Sequence, residues 1–152
     1  MKTEKTIYAL NELVTINNDR IEGYKTAYDE TEEQDLKTLF LDFIRTSQKC
    51  KTELEDNINR LGGKVAEGTM ITGKFFRVWM DVKAALTGKD RKVILDSCEF
   101  GEDAAVKAYK HALTEHLEDL TPEQQNLIRS QYATIKADHD KVKAMRDALV
   151  TS

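Results

Sequence analysis

Two carboxylates three residues apart, Glu99 and Glu102, sit inside a long helical pattern in the stretch Cys98-Glu99-Phe100-Gly101-Glu102. Leu95, Cys98, Glu102, Ala105, Tyr109 and Leu113 recur at spacings of three and four, which is the buried face of a helix. Glu102 falls on that stripe, and Glu99 lies one turn back on its flank. A carboxylate is costly to bury unless something pairs with it, hydrogen-bonds it or supplies a proton. In a helical bundle three chemistries answer that need: a metal ion, a basic side chain or a shared proton.

The metal alternative has a defined requirement. Di-metal carboxylate bundles take one Glu from each of two helices and a Glu-x-x-His pair from each of the other two, because side chains at i and i+3 reach the same ion. Measured against that set, the candidate ligands are Glu22, Glu53, Glu99, Glu102 and His139. Glu55 also lies on the second helix, and Asp138 is a substitute carboxylate on the fourth. No Glu-x-x-His occurs, since Lys136 stands three residues before His139. A complete di-iron centre is therefore not expected. What remains is a weaker iron or manganese site, or a metal-free network. In the network Glu102 is protonated or paired with Lys, Tyr or His, and Asn17, Asn18, Gln48 and Gln131 supply hydrogen bonds. His111 lies opposite the stripe and reads as solvated. His116, near the end of its helix, suits the negative end of the helix dipole. Cys50 and Cys98 lie on apolar stripes and read as small buried hydrophobes. No phosphate loop, nucleophile elbow or CxxC is present.

These residues need long helices to hold them. Helix 1 is expected over about Thr6–Glu30, with Leu10, Val14, Asn17, Ile21 and Tyr24 on its stripe. Thr31-Glu32-Glu33-Gln34 matches a capping box for helix 2, which runs to about Leu61 and ends at Gly62-Gly63. Ile71 to Leu86, with Phe75, Phe76 and Trp79, predicts a shorter helix. Helix 3 follows over about Arg91–His116. Thr121-Pro122-Glu123-Gln124 starts helix 4, which runs to about Leu149. Each long helix spans roughly 40 Å at 1.5 Å per residue. Short links make helices 1 and 2, and helices 3 and 4, antiparallel hairpins. The long middle connection permits helices 2 and 3 to run parallel, as in bundles with a single crossover. Gly23 and Gly101, each beside a carboxylate, mark places where helices approach closely.

Composition agrees with an all-α chain forming one domain over residues 1–152. Charged residues make up 33%, aromatics 7%, and there is a single proline, too little turn chemistry for a β-sandwich. The net charge of −4 without a basic cluster argues against nucleic acid. No apolar run approaches the ~20 residues of a membrane span. The polar start, Met1 to Lys5, lacks a secretory signal, so the expected location is the cytoplasm.

Several stretches together resemble a bacterial ferritin-like four-helix-bundle family known as a domain of unknown function. They are Leu10-Asn11-Glu12-Leu13, Ile21-Glu22-Gly23-Tyr24, Arg60-Leu61-Gly62-Gly63, Trp79-Met80-Asp81-Val82-Lys83-Ala84-Ala85-Leu86-Thr87-Gly88, Cys98 to Ala105, and His139 with Arg146-Asp147. The resemblance implies a ferritin-like four-helix bundle with a long crossover carrying a short extra helix between helices 2 and 3. It implies no reaction. The expected role is non-enzymatic, structural or interaction-based and stress-associated by analogy, with no cofactor. The alternative is a metal-binding carboxylate bundle with redox or metal-storage activity, using iron or manganese. A further reading is a homodimer formed through the Phe75-Phe76-Trp79 helix face; a protein partner is not identified by sequence.

Overall fold

A computed structural model describes residues 2–66 and 91–151 of the chain. The expected short helix over 71–86, and with it the Phe75-Phe76-Trp79 face, lies outside these residues. The described elements are α1 (Lys2–Glu30), α2 (Gln34–Arg60), α3 (Arg91–Glu115), a 3₁₀ turn (Leu117–Asp119) and α4 (Pro122–Thr151). No strand occurs among the described residues, and no described helix is long and apolar enough to cross a membrane.

Local chemistry explains most of the boundaries. At the start of α4, Thr121 N–H donates to Gln124 Oε1 at 2.9 Å and Gln124 N–H donates to Thr121 Oγ1 at 3.1 Å. This is the reciprocal capping box that the spacing predicts. Gly62, at φ +76°, ends α2 in the left-handed region. Its N–H donates to Asn59 O and that of Gly63 to Ile58 O, both at 3.0 Å, so the last carbonyls are satisfied. A Cβ on Gly63 would come within 2.7 Å of Ile7 on α1, which explains the second glycine. The capping box expected at Thr31 does not form. The residue preceding α2 is Glu33, without a side-chain cap. Thr31 Oγ1 instead accepts the Glu33 N–H at 3.2 Å, a local turn that outcompetes the longer loop. Arg91 supplies the missing tie, reaching Glu33 at 3.0 Å and Asp35 at 2.8 Å.

Cross-helix pairs define the topology. Going up α1, Thr6 meets Asp119 of the 3₁₀ turn just past α3, and Asn17 and Arg20 meet Tyr109 and Glu102, which descend along α3, so α1 and α3 are antiparallel. The three-residue link makes α1 and α2 antiparallel as well. Hence α2 and α3 run parallel, and Arg91 at the start of α3 lies beside Asp35 at the start of α2. The end of α2 and the start of α3 thus stand at opposite ends of the bundle. Aliphatic and aromatic side chains from all four long helices, among them Leu10, Phe40, Leu54, Leu95, Ile128 and Ile135, form the packed core. Gly23 and Gly101 are both buried within it.

Candidate functional site

The core is interrupted by a polar layer to which each long helix contributes a side chain. Arg20 of α1 and Glu102 of α3 are both fully buried, at 0% exposure. Their pairing is bidentate: Arg20 Nε donates to Glu102 Oε1 at 2.6 Å and Nη2 donates to Oε2 at 3.0 Å. Nη1 donates to Ser47 Oγ of α2 at 2.6 Å, and Nη2 also reaches Asp138 Oδ2 of α4 at 3.3 Å. The planar fork of a guanidinium suits this arrangement, because its donors diverge in fixed directions toward several acceptors. Tyr24 and Phe43 close one side, their ring centres 5.5 and 6.0 Å from the guanidinium carbon. Tyr24 in turn stacks on Phe40 at 5.4 Å, so the pair is sealed by aromatic surface.

Electrostatics follow from this geometry. Burial pushes the Arg20 guanidinium toward its neutral form, but Glu102, with smaller help from Asp138, outweighs it and the group is held charged. Burial pushes the Asp138 carboxyl up to about 6, since the nearby Glu102 charge adds to the desolvation that Arg20 only partly offsets. Burial, reinforced by the Glu102 charge, raises the Tyr24 hydroxyl well above the ordinary tyrosine value. Cys50 and Cys98 are free and buried. Burial pushes the Cys50 thiol up to about 11 and raises that of Cys98 too, so both are held as thiols.

A second polar layer lies farther along the axis. Asn17 Nδ2 donates to the Tyr109 hydroxyl at 2.9 Å, and that hydroxyl donates to Gln131 Oε1 at 2.7 Å. Gln131 Nε2 then donates to Cys50 O at 3.2 Å and to Glu53 Oε1 at 3.1 Å. All four long helices are again tied together.

The sequence-derived candidates are distributed over separate places. Glu102 is the centre of the first layer, with both carboxylate oxygens taken by Arg20. Glu53 belongs to the second layer. Glu22 is exposed and lines an open groove of about 380 Å³ with Lys25, Lys51 and Glu55. Glu99 pairs with Arg146 of α4. His139 stands 2.6 Å from Asp103 Oδ1 and 3.0 Å from Asp140 Oδ1. One ligand atom each from Glu99, Asp103 and His139 lie within 4.8 Å of one another, so the structure brings together two of the five candidates and adds Asp103. Of the hydrogen-bonding residues expected in a metal-free network, Asn17 and Gln131 take part, whereas Gln48 is exposed.

The partner of Glu102 is a residue that pattern reading missed. Expectation ran to Lys, Tyr or His, and the structure supplies Arg20. A signal was present: Arg20 follows Asn17 by three residues and precedes Tyr24 by four, so it shares their face. His111 was expected in solvent, yet it is half-buried, its ring edge-on to His116 with centres 5.5 Å apart.

Residues 5–115 match the family model described as Domain of unknown function (DUF2383). The chain belongs to the DUF2383 family. The match covers α1 to α3 almost entirely and so includes Arg20, Ser47 and Glu102. Helix α4, which brings Gln131, Asp138 and His139 to this DUF2383 bundle, lies beyond the matched residues. Comparison with curated proteins finds no match.

Proposed function

We propose that this DUF2383 protein is a ferritin-like four-helix bundle with a non-enzymatic, structural or interaction role. The parallel course of α2 and α3 between two antiparallel hairpins supports the ferritin-like assignment. The observation that carries the functional reading is the bidentate Arg20–Glu102 pair at the centre of the bundle. In a metal-bearing carboxylate bundle, metal cations neutralise the buried carboxylates. Here a guanidinium from α1 delivers that charge, and its remaining donors engage Ser47 and Asp138. The layer then fixes helix register, a use for which buried polar groups are best attested.

A second reading, iron or manganese binding for redox or storage, draws on the Glu99–Asp103–His139 group. Two features weigh against it. Arg146 already sits on Glu99, and both His139 ring nitrogens are matched by carboxylates.

Metal analysis of protein purified without added chelator separates the two. The first reading expects less than stoichiometric iron and manganese, with no change in Glu102→Gln. Stoichiometric iron or manganese that disappears in Glu102→Gln overturns it. Loss confined to His139→Ala supports the second reading instead.

A further inference from the structure

At the end of the bundle where α1 begins and α3 ends, a second group of metal-ligating side chains converges. It consists of Glu12 of α1, His111 of α3 and His116, the residue just past α3. One ligand atom from each lies within 4.8 Å of the other two, and all three residues are half-buried. Residues five apart do not share a face on a continuous helix, being separated by about 140° around the axis. The geometry arises because α3 stops at Glu115 and His116 leaves the helix at φ −115°, ψ 9°. That turn swings the His116 ring edge-on to His111.

The surroundings have the features of a held ligand set. Tyr8 stands one turn before Glu12 on α1, and its ring lies 6.0 Å from that of His116. Asp119 Oδ2 stands 3.6 Å from His116 Nδ1, and the Thr6 hydroxyl donates to the Asp119 carbonyl, tying the corner to α1. His116 Nδ1 itself is buried and makes no hydrogen bond. A buried nitrogen that makes no hydrogen bond carries a desolvation cost, which a cation coordinated at that atom removes. The carbonyl end of α3 adds negative partial charge at the same place.

We propose that Glu12, His111 and His116 bind one divalent transition-metal ion of the zinc class. Two imidazoles and one carboxylate are a donor set that suits borderline cations and leaves a fourth position for water. Bonds of 2.0–2.2 Å put tetrahedral ligands about 3.4 Å apart, so small side-chain rotations close the present group around an ion. The site differs from the Glu99–Asp103–His139 group in one decisive respect. There an arginine already neutralises the glutamate, whereas here the glutamate stands with two imidazoles. A metal in this position clamps α1 to the α3–α4 corner, and it does so independently of the buried layer at mid-bundle.

The test uses the full chain, stripped with EDTA and titrated with Zn²⁺ by calorimetry and with Co²⁺ by visible absorption. The expected result is one ion per chain, ligand-field bands of a four-coordinate Co²⁺ site, and a melting temperature that rises with Zn²⁺. His111→Ala and His116→Ala should each weaken binding at least about 10-fold, the lower bound set by losses at second-shell groups. Circular dichroism confirms that each variant is folded. Should His116→Ala unfold, Glu12→Gln reads the same site from the other helix. Absence of saturable binding, or binding undiminished by these substitutions, overturns the proposal. So does binding that is lost in His139→Ala or in Glu102→Gln instead. Loss in Glu102→Gln would also count against the metal-free core, while loss in His116→Ala leaves that reading intact.

Discussion

Glu99 and Glu102 stand one helical turn apart on α3, and each meets an arginine. Glu102 is sealed at 0% exposure, and Arg20 grips both of its oxygens beneath the rings of Tyr24 and Phe43. Glu99 lies at the edge of the α3–α4 seam with its side chain 14% exposed, against an Arg146 that is 25% exposed. Residue types and charges match, yet the consequences differ. In water-excluded surroundings an unpartnered charge cannot be solvated, so each member of the inner pair requires the other. At the edge, water replaces whichever partner is lost. Connectivity divides along the same line. The inner pair, with Ser47 and Asp138, ties all four long helices together, and the outer pair joins only α3 and α4.

Removing one inner partner is the hardest strain on this contrast. Arg20→Met leaves Glu102 buried without its cation and should destabilise the bundle by about 3–5 kcal/mol. The combined Arg20→Met, Glu102→Met variant should recover most of that loss, because two apolar side chains of similar volume need no solvation. Urea denaturation of the two single variants and the double variant measures the coupling. A double variant as unstable as Arg20→Met would mean that packing, rather than charge, is what Arg20 contributes. A double variant that is stable but populates several conformers, seen as broadened backbone amide spectra, would show that the pair specifies register.

Asp138 gives the next largest effect and runs opposite to the usual carboxylate. Its folded-state value of about 6 lies above the ordinary 3.8, so the native state holds the proton more tightly than the unfolded chain does. The Asp138 contribution to stability is therefore fullest below 3.8 and is lost as pH rises through about 6. A difference of about two pH units corresponds to about 3 kcal/mol as an upper bound. Asp138→Asn keeps an acceptor for Arg20 and removes the titration. The variant's melting temperature should vary less between pH 4 and pH 7 than that of the natural chain, and should be the higher of the two at pH 7. Parallel curves across that window would show that Asp138 does not carry the dependence.

What could be read in advance follows a physical division. Thr121 and Gln124, or Gly62 and Gly63, act over one turn of chain, so spacing alone reveals them. Burial of Glu102 was legible from its place on an apolar stripe. The length of the connection permitted a parallel arrangement of α2 and α3 without requiring it. The identity of the Glu102 partner was not legible, because it depends on the axial register of α1 against α3, which no single helix encodes. Arg20 was also concealed by Ile21, which completes the apolar stripe without it, and by the ordinary tendency of arginine to reach toward solvent. The meeting of His111 and His116 was hidden for a related reason. Their spacing forbids contact on a helix and allows it only once α3 ends between them. At Thr31 the pattern was present but lost to a competing turn. Side chains that bond within one turn are thus visible to pattern, and those that bond across the bundle await the register.

The smallest expected effect tests the outer half of the contrast. Arg146→Gln removes the partner of Glu99, but also contacts with Asp96 at 3.7 Å and Asp147 at 2.8 Å, so the arginine serves several carboxylates at once. Partly exposed pairs of this kind contribute about 0–1 kcal/mol, and salt screens them. Arg146→Gln should therefore cost no more than about 1 kcal/mol at low ionic strength and less in high salt. Arg20→Met should cost nearly the same at both, since its partner is sealed from ions. Measuring both variants by urea denaturation at two salt concentrations sets burial against charge number directly. If the loss in Arg146→Gln approaches that of Arg20→Met and does not respond to salt, then the number of carboxylates each arginine gathers, rather than its distance from water, governs how strongly it holds this bundle.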